Sequence, residues 1–308
     1  MFACVGERRL SRKAFSGMVL ALLLASLITL AFNIQPVKAE GGTIYIRADG
    51  SVDPPSAPIT NVGNVYYTLT ADIYDSIVVE RDNIVVDGAG YALEGAETGN
   101  GILLNGRSNV TIKSITVREF DCGICLNCSS GNILSANTTA NNNGTGIDLT
   151  NSSYNGVSAN NITNSSHNGI GSYFSSSNNS ITGNNIINHY RSIELSYSSS
   201  NLICHNNFVG NTARAHVYPF GYMNTWDDGY PSGGNYWSDY NGTDNNGDGI
   251  GDTQYVIDAN NADHYPLMSP PIPIIPEFPA WTILPILMIA TLFVIAVKKK
   301  DLFPKGLK

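Results

Sequence analysis

The chain has 308 residues, of which 14% are charged, with 30 glycines and a formal net charge of −8. Between residues 40 and 279 only 7 basic residues stand against 23 acidic ones. A body this acidic repels phosphate backbones, which excludes nucleic acid as a main partner and leaves cations open.

Residues 1–39 read as a secretory signal peptide. Arg8, Arg9, Arg12 and Lys13 precede an apolar run from Phe15 to Phe32, and Val37-Lys38-Ala39 supplies small residues before Glu40. That is the order of a basic n-region, an apolar h-region and a cleavage site. An N-terminal cap is expected over 40–76.

From 77 to 217 the chain repeats itself. Apolar anchors at Val86, Val110, Leu134, Val157, Ile181 and Ile203 recur about every 23 residues. Asn137, Asn160, Asn184 and Asn206 keep the same step, as do Asn132, Asn155, Asn179 and Asn201. So do Gly101, Gly123, Gly146 and Gly169, with Ser192 in the next place, each before an isoleucine. Scarcity of Ala, Leu, Glu and Lys disfavours helix between turns, so each coil reads as short strands joined at corners. In the coil around 181–195 the expected strands are Ile181-Thr182, Ile186-Ile187 and Ser192 to Leu195, with a corner at Gly183-Asn184. Stacked at ~4.8 Å, equivalent asparagines can bond amide to amide along the axis. The fold expected is all-β, a parallel β-helix with a C-terminal cap.

One outward column runs Leu103, Cys125, Asp148, Gly171, Glu194. It puts Asp148 and Glu194 two coils apart, ~9.6 Å at the backbone, across a notch at Gly171. Two carboxylates at that separation suit an inverting glycosidase, and they are the candidate catalytic pair; solvated surface carboxylates are the alternative. No Lys or Arg stands in this column to stabilise a lyase carbanion. Cys122, Cys125 and Cys128 form C-x2-C-x2-C, with Cys204 distant, and the sequence leaves open whether they pair or stay as free thiols. Nine Asn-x-Ser/Thr sequons, Asn137 among them, offer glycan acceptors.

The segments Asn83-Ile84-Val85-Val86-Asp87-Gly88-Ala89-Gly90-Tyr91, Ser108-Asn109-Val110-Thr111-Ile112 and Asn179-Ser180-Ile181-Thr182-Gly183-Asn184-Asn185-Ile186 resemble the NosD-like right-handed parallel β-helices. These belong to the carbohydrate-binding and sugar-hydrolysis β-helix group. Gly234-Asn235-Tyr236-Trp237-Ser238-Asp239-Tyr240 and Asp248-Gly249-Ile250-Gly251-Asp252 look like the ending of archaeal surface members. The resemblance implies a right-handed coil and a role with polysaccharide or surface glycan, either as non-catalytic binding or envelope structure, or as a hydrolase or lyase. The NosD name adds copper processing for nitrous oxide reductase, but the five histidines share no ligand spacing.

Residues 218–268 form the expected C-terminal cap. Within it Asp244, Asn246, Asp248 and Asp252 fall at alternating positions of an Asp-rich loop, with Gly249 for the turn and a carbonyl at Ile250. These are the oxygen donors expected to hold a structural Ca²⁺; Tyr255 stands where a full EF-hand needs an acid. Trp226, Tyr230, Tyr236, Trp237 and Tyr240 are expected to plug the open end of the stack, with sugar stacking as the alternative.

A proline-rich linker (269–279) precedes an apolar segment (280–297) of membrane-spanning length and a basic tail (298–308). The positive-inside rule puts the tail in the cytoplasm and the acidic body outside, as a secreted, cell-surface protein anchored to the membrane. Pro276-Glu277-Phe278, an apolar span and a basic cluster together resemble the PEF-type sorting signal of archaeal surface proteins. That resemblance implies an archaeosortase-like processing enzyme as a partner.

Overall fold

The computed structural model describes residues 42–213, 215–218 and 222–272. The signal peptide, the apolar span, the sorting motif and the basic tail lie outside the described residues. So does most of the linker.

Among the described residues three parallel sheets form the faces of a right-handed solenoid whose coils are about 23 residues long. The first sheet stacks, coil on coil, strands Ile44–Ile46, Ile77–Val79, Asn100–Asn105, Cys122–Asn127, Thr145–Thr150, Asn168–Tyr173, Arg191–Ser196 and His216–Tyr218. Strand Val52–Asp53 adds to Ile44–Ile46 antiparallel and closes that edge. The strands expected around 181–195 are present as Ser180–Thr182, Asn185–Ile187 and Arg191–Ser196.

The interior is built from columns of like side chains. Ile102, Ile124, Ile147, Ile170 and Ile193 are registered one above another and fully buried. Burying such a side chain contributes roughly 1.5–3 kcal/mol, so each added coil repeats the same gain. The glycine column beside it has a steric cause. A Cβ on Gly123 would meet the Gly146 carbonyl oxygen at 2.5 Å, and one on Gly169 the Ser192 carbonyl oxygen at 2.7 Å. Both distances are shorter than real Cβ contacts, so these strand positions admit no larger residue, and the column ends at Ser192 one coil on.

Both asparagine columns are ladders, and they do more than the amide-to-amide pairing expected. Asn160 donates both its backbone N–H (2.9 Å) and its Nδ2 (2.9 Å) to Oδ1 of Asn184. Asn184 does the same to Asn206, at 3.0 and 2.9 Å. Each Nδ2 also reaches a carbonyl of the previous coil, as Asn184 does to Val157 at 2.9 Å. Four buried polar groups per rung are thereby satisfied inside a dry stack. The left-handed corner residues are not the ladder asparagines but their predecessors, Ala136, Ala159, Gly183 and His205. A serine column, Ser129, Ser152 and Ser176, serves the third corner in the same way, each hydroxyl accepting the N–H one coil below.

Candidate functional site

The outward column on the first sheet is formed as expected: Leu103, Cys125, Asp148, Gly171 and Glu194 are successive register partners. Two flanking columns complete the face. One carries Cys122, Thr145, Asn168 and Arg191, and the other Asn127, Thr150, Tyr173 and Ser196.

The notch expected at Gly171 is not open. A Cβ there would collide with the Tyr173 ring, so the ring lies across the glycine, between the two carboxylates. Glu194 is held by its neighbours: Asn168 Nδ2 donates to Oε2 at 2.9 Å, the Tyr173 hydroxyl at 3.4 Å, and Arg191 Nη1 at 3.4 Å. Asn168 Nδ2 also donates to the Tyr173 hydroxyl at 2.6 Å. The cation missing from the Glu194 column is thus supplied by Arg191 from the adjacent one. Burial, together with the nearby Glu194 and Asp148 charges, holds the Tyr173 hydroxyl well above the usual phenol range.

Asp148 has a different environment. Its one partner is Thr150 Oγ1, which donates to Oδ1 at 2.7 Å, and burial pushes its carboxyl up to about 6. The two acids therefore differ in kind: Glu194 sits in a hydrogen-bonded group with a guanidinium, and Asp148 has no cation beside it among the described residues. Neither Tyr173 nor Arg191 stood out in the sequence, because each lies one column away from the repeat position that flagged the acids.

A row of exposed aromatics borders this face. Phe174 and Tyr197 directly follow the strands that carry Tyr173 and Glu194 and are 65% and 43% exposed. Both sit in the left-handed region, at φ 53° each, a conformation that costs a bulky residue roughly 1–2 kcal/mol. Tyr218, in register with Ser196, meets Tyr197 edge to face at 6.0 Å.

The remaining candidates are dispersed. Cys122 and Cys125 are joined in a disulfide, Cys128 is an exposed thiol, and burial pushes the Cys204 thiol up to about 11. His189 is buried, with both ring nitrogens against backbone groups of Ser165 and Ile162, and burial lowers its pKa. His264 Nδ1 lies 2.9 Å from Asp227. Among the described residues no three His, Cys, Asp or Glu side chains form a group able to hold a metal ion. Asn137, one of the sequons, is a buried ladder rung and not a glycan acceptor.

In the cap loop the carboxylates face the loop's own amides. Asp244 accepts the N–H groups of Gly247 (2.7 Å) and Gly249 (2.9 Å), and Asp248 that of Ile250 (2.9 Å). Asp252 accepts both the N–H and Nδ2 of Asn245, at 2.9 and 2.6 Å, and Asn246 donates to Asp248 at 2.9 Å. Of the aromatics expected to plug the stack, Trp226 and Trp237 do so, at 1% and 2% exposed, with Trp237 stacked between Phe208 and Tyr255 at 4.2 Å from each, whereas Tyr230 is 62% exposed and lies outside the plug. Buried faces are closed to a sugar ring, so stacking is left to exposed aromatics elsewhere.

The family described as Periplasmic copper-binding protein (NosD) matches residues 45–242. Among solved structures, the crystal structure of the periplasmic alginate epimerase AlgG is similar at 19% identity and a TM-score of 0.39. The match covers 49% of this chain and 39% of that one, so the chain spans about two fifths of its neighbour's length. No curated protein matches.

Proposed function

The chain belongs to the family described as Periplasmic copper-binding protein (NosD), and we propose that this member binds a glycan on the outward face of its first sheet, without cleaving it. The observation that carries the reading is the hydrogen-bonded group of Glu194, Asn168, Tyr173 and Arg191 lying beside exposed Phe174 and Tyr197. Oriented polar groups next to open aromatic faces suit a ligand whose rings have apolar faces and hydroxyl edges. The terminal segments support a body displayed outside the membrane on an anchor. Titration against a panel of oligosaccharides tests the reading: binding without release of reducing ends is expected, and Glu194→Gln with Phe174→Ala removes it.

The rival is a polysaccharide hydrolase that uses Asp148 and Glu194. It is favoured by the raised Asp148 carboxyl, which suits a general acid. Against it stands the Tyr173 ring, which occupies the space an attacking water would need between the two acids. Turnover that disappears in Asp148→Asn and in Glu194→Gln would establish the hydrolase.

Copper does not fit the described side chains. The two nearest thiols are bonded to each other, His189 is spent on the backbone, and no three suitable donors converge. For the cap loop we propose Ca²⁺ on Asp244, Asn246, Asp248, Asp252 and the Ile250 carbonyl. A carboxylate offers about four acceptor sites, so the amide bonds do not exhaust these oxygens, but the three carboxylates are not grouped in this structure and the loop has to draw them together to take the ion.

A further inference from the structure

Past the cap the chain turns back along the solenoid. Leu267 is bridged to Tyr236, and Tyr236 is paired with Asn207, so Leu267 stands two coils above Asn207. By Ile272 the chain has come down to that level. The Ile272 carbonyl oxygen accepts Asn207 Nδ2 at 2.8 Å, and Ile272 Cδ1 lies 4.0 Å from where a Cβ on Gly183, one coil lower, would stand. The start of the proline-rich linker therefore descends the outside of the stack, toward the N-terminal coils.

Its seat has a definite chemistry. Asn207 alternates with core-facing Phe208, so its side chain faces away from the core, yet it is fully buried. One Nδ2 hydrogen goes to Asn185 Oδ1 at 2.6 Å and the other to Ile272, while Asn207 Oδ1 has no donor. A seat that gives hydrogens and receives none suits a segment rich in proline, which offers carbonyls without N–H groups.

The track continues below that seat. Gly183, Ala159, Ala136 and Ser114 take the same left-handed corner in successive coils. It is the corner between the sheet of Ser180–Thr182 and the sheet of Asn185–Ile187, opposite the first sheet. The two corners that border the first sheet carry larger side chains in that conformation, Phe174 and Tyr197 on one, Asn164 and Asn188 on the other. Asn161 and Thr138 extend the Asn207 column downward with further donor groups. An extended proline-rich chain advances ~3.1 Å per residue against ~4.8 Å per coil. Starting at Gly183, Pro273 to Pro276 thus passes Ala136, and Glu277 comes level with Ser114. Lys113, a cation at that level, is 3.1 Å from Asp87 and keeps a third of its side chain exposed.

We propose that the proline-rich linker docks along this corner, held by Asn207 at its top and by Lys113 on Glu277 at its foot. The apolar segment then departs beside the N-terminal coils rather than from the cap, and the outward face of the first sheet stays uncovered.

Paired cysteines in the full chain, in detergent and on a Cys128→Ser background, test this. Ile275→Cys with Ala136→Cys is the docked pair; Ile275→Cys with Asn188→Cys, at a corner bordering the first sheet, is the control. On mild oxidation the docked pair should form its disulfide in about fivefold or higher yield than the control, because docking raises the local concentration of the two thiols. Ala159→Trp fills the track at a kind of corner where Phe174 and Tyr197 show that an aromatic is accepted. It should bring the two yields to within twofold without moving the circular dichroism melt. Lys113→Glu should lower the docked yield, and Glu277→Lys added to it should restore the yield. Equal yields in the two pairs, or a higher yield at Asn188, would overturn docking at this corner. A docked yield that survives Ala159→Trp would overturn the track, and one indifferent to Lys113→Glu would overturn the ionic foot.

Discussion

Asn235 and Asp263 form the last rung of an asparagine ladder: the Asn235 N–H donates to Asp263 Oδ2 at 2.7 Å, as each asparagine below donates to the next. The ladder is directional, every rung giving protons toward the C-terminal end, so its final member needs only to accept. An ionised carboxylate does nothing else. Asp263 also takes the Trp237 Nε1–H at 2.9 Å and the Tyr265 N–H at 3.1 Å, which ties ladder, plug and cap together.

Removing that acceptor should release the cap. Asp263→Ala leaves the donors of Asn235, Trp237 and Tyr265 unpaired in a buried place, at about 1–3 kcal/mol each. A loss of at least ~3 kcal/mol is expected in urea unfolding, with Trp237 fluorescence changing before the β-sheet signal. Asp263→Asn keeps one acceptor and should lose far less. Equal losses in the two variants would refute the terminal-acceptor role.

A rung inside the ladder should be costlier still. Asn184→Leu keeps the volume but orphans the Asn160 donors and takes a donor from the Val157 carbonyl below, while Asn206 Oδ1 above keeps only the Asn184 backbone N–H. Several kilocalories per mole of destabilisation are expected, ~3 or more, or failure to fold. Ser180→Ala, at an exposed strand position of the neighbouring sheet, is the control and should change stability by less than ~1 kcal/mol.

Asp148 gives the stability a pH signature. Its folded pKa, about 6, lies above the ordinary carboxylate value of 3.8 because burial disfavours the charged form. The neutral acid's contribution is therefore fully present below pH 3.8 and lost as pH rises through about 6. Relative to wild type, Asp148→Asn should be near neutral at pH 3.5 and more stable by up to ~3 kcal/mol at pH 8. A difference that does not vary with pH would mean that Asp148 is solvated.

The aromatic ridge predicts a trade between stability and binding. Phe174→Gly relieves left-handed strain and should stabilise by about 1 kcal/mol while weakening glycan binding. Tyr197→Gly should behave alike. A stabilised variant with unchanged affinity would remove the ridge from the binding face.

Calcium can be tested on melting alone. If the loop takes the ion, millimolar Ca²⁺ added to chelator-treated protein raises Tm, the added stability being ~2.7 kcal/mol at a hundredfold excess over Kd. Asp248→Ala should abolish most of the rise, and Mg²⁺ should substitute poorly. An unchanged curve would leave the loop a hydrogen-bonded turn.

The repeat made much of this legible from sequence. Columns in step place the coils of the repeat and both ladders through Asn201 and Asn206, because one hydrogen-bonding and packing problem recurs per coil, while the strands before residue 77 and in the cap have no such step. Legibility ends where the step breaks. Asn235 follows Asn206 by 29 residues and Asp263 follows Asn235 by 28, so the ladder's continuation into the cap has no period to reveal it. Tyr173 escaped for another reason: its ring covers Gly171 through its side-chain torsions, which no spacing encodes. The disulfide needed three dimensions, since C-x2-C-x2-C admits more than one pairing.

The uniform polarity of the ladders has a consequence for how such a molecule changes length. Every rung presents donors upward and an acceptor downward, so any coil fits on any other. Cutting out one whole turn, or copying one in, rejoins matched surfaces, whereas a loss of a few residues misaligns all three sheets at once. Height thus becomes a quantity that recombination can adjust in whole steps, while the two ends stay as they are. The outward face of the first sheet rides along that scale, and its distance from either end can be reset without altering a residue that forms it.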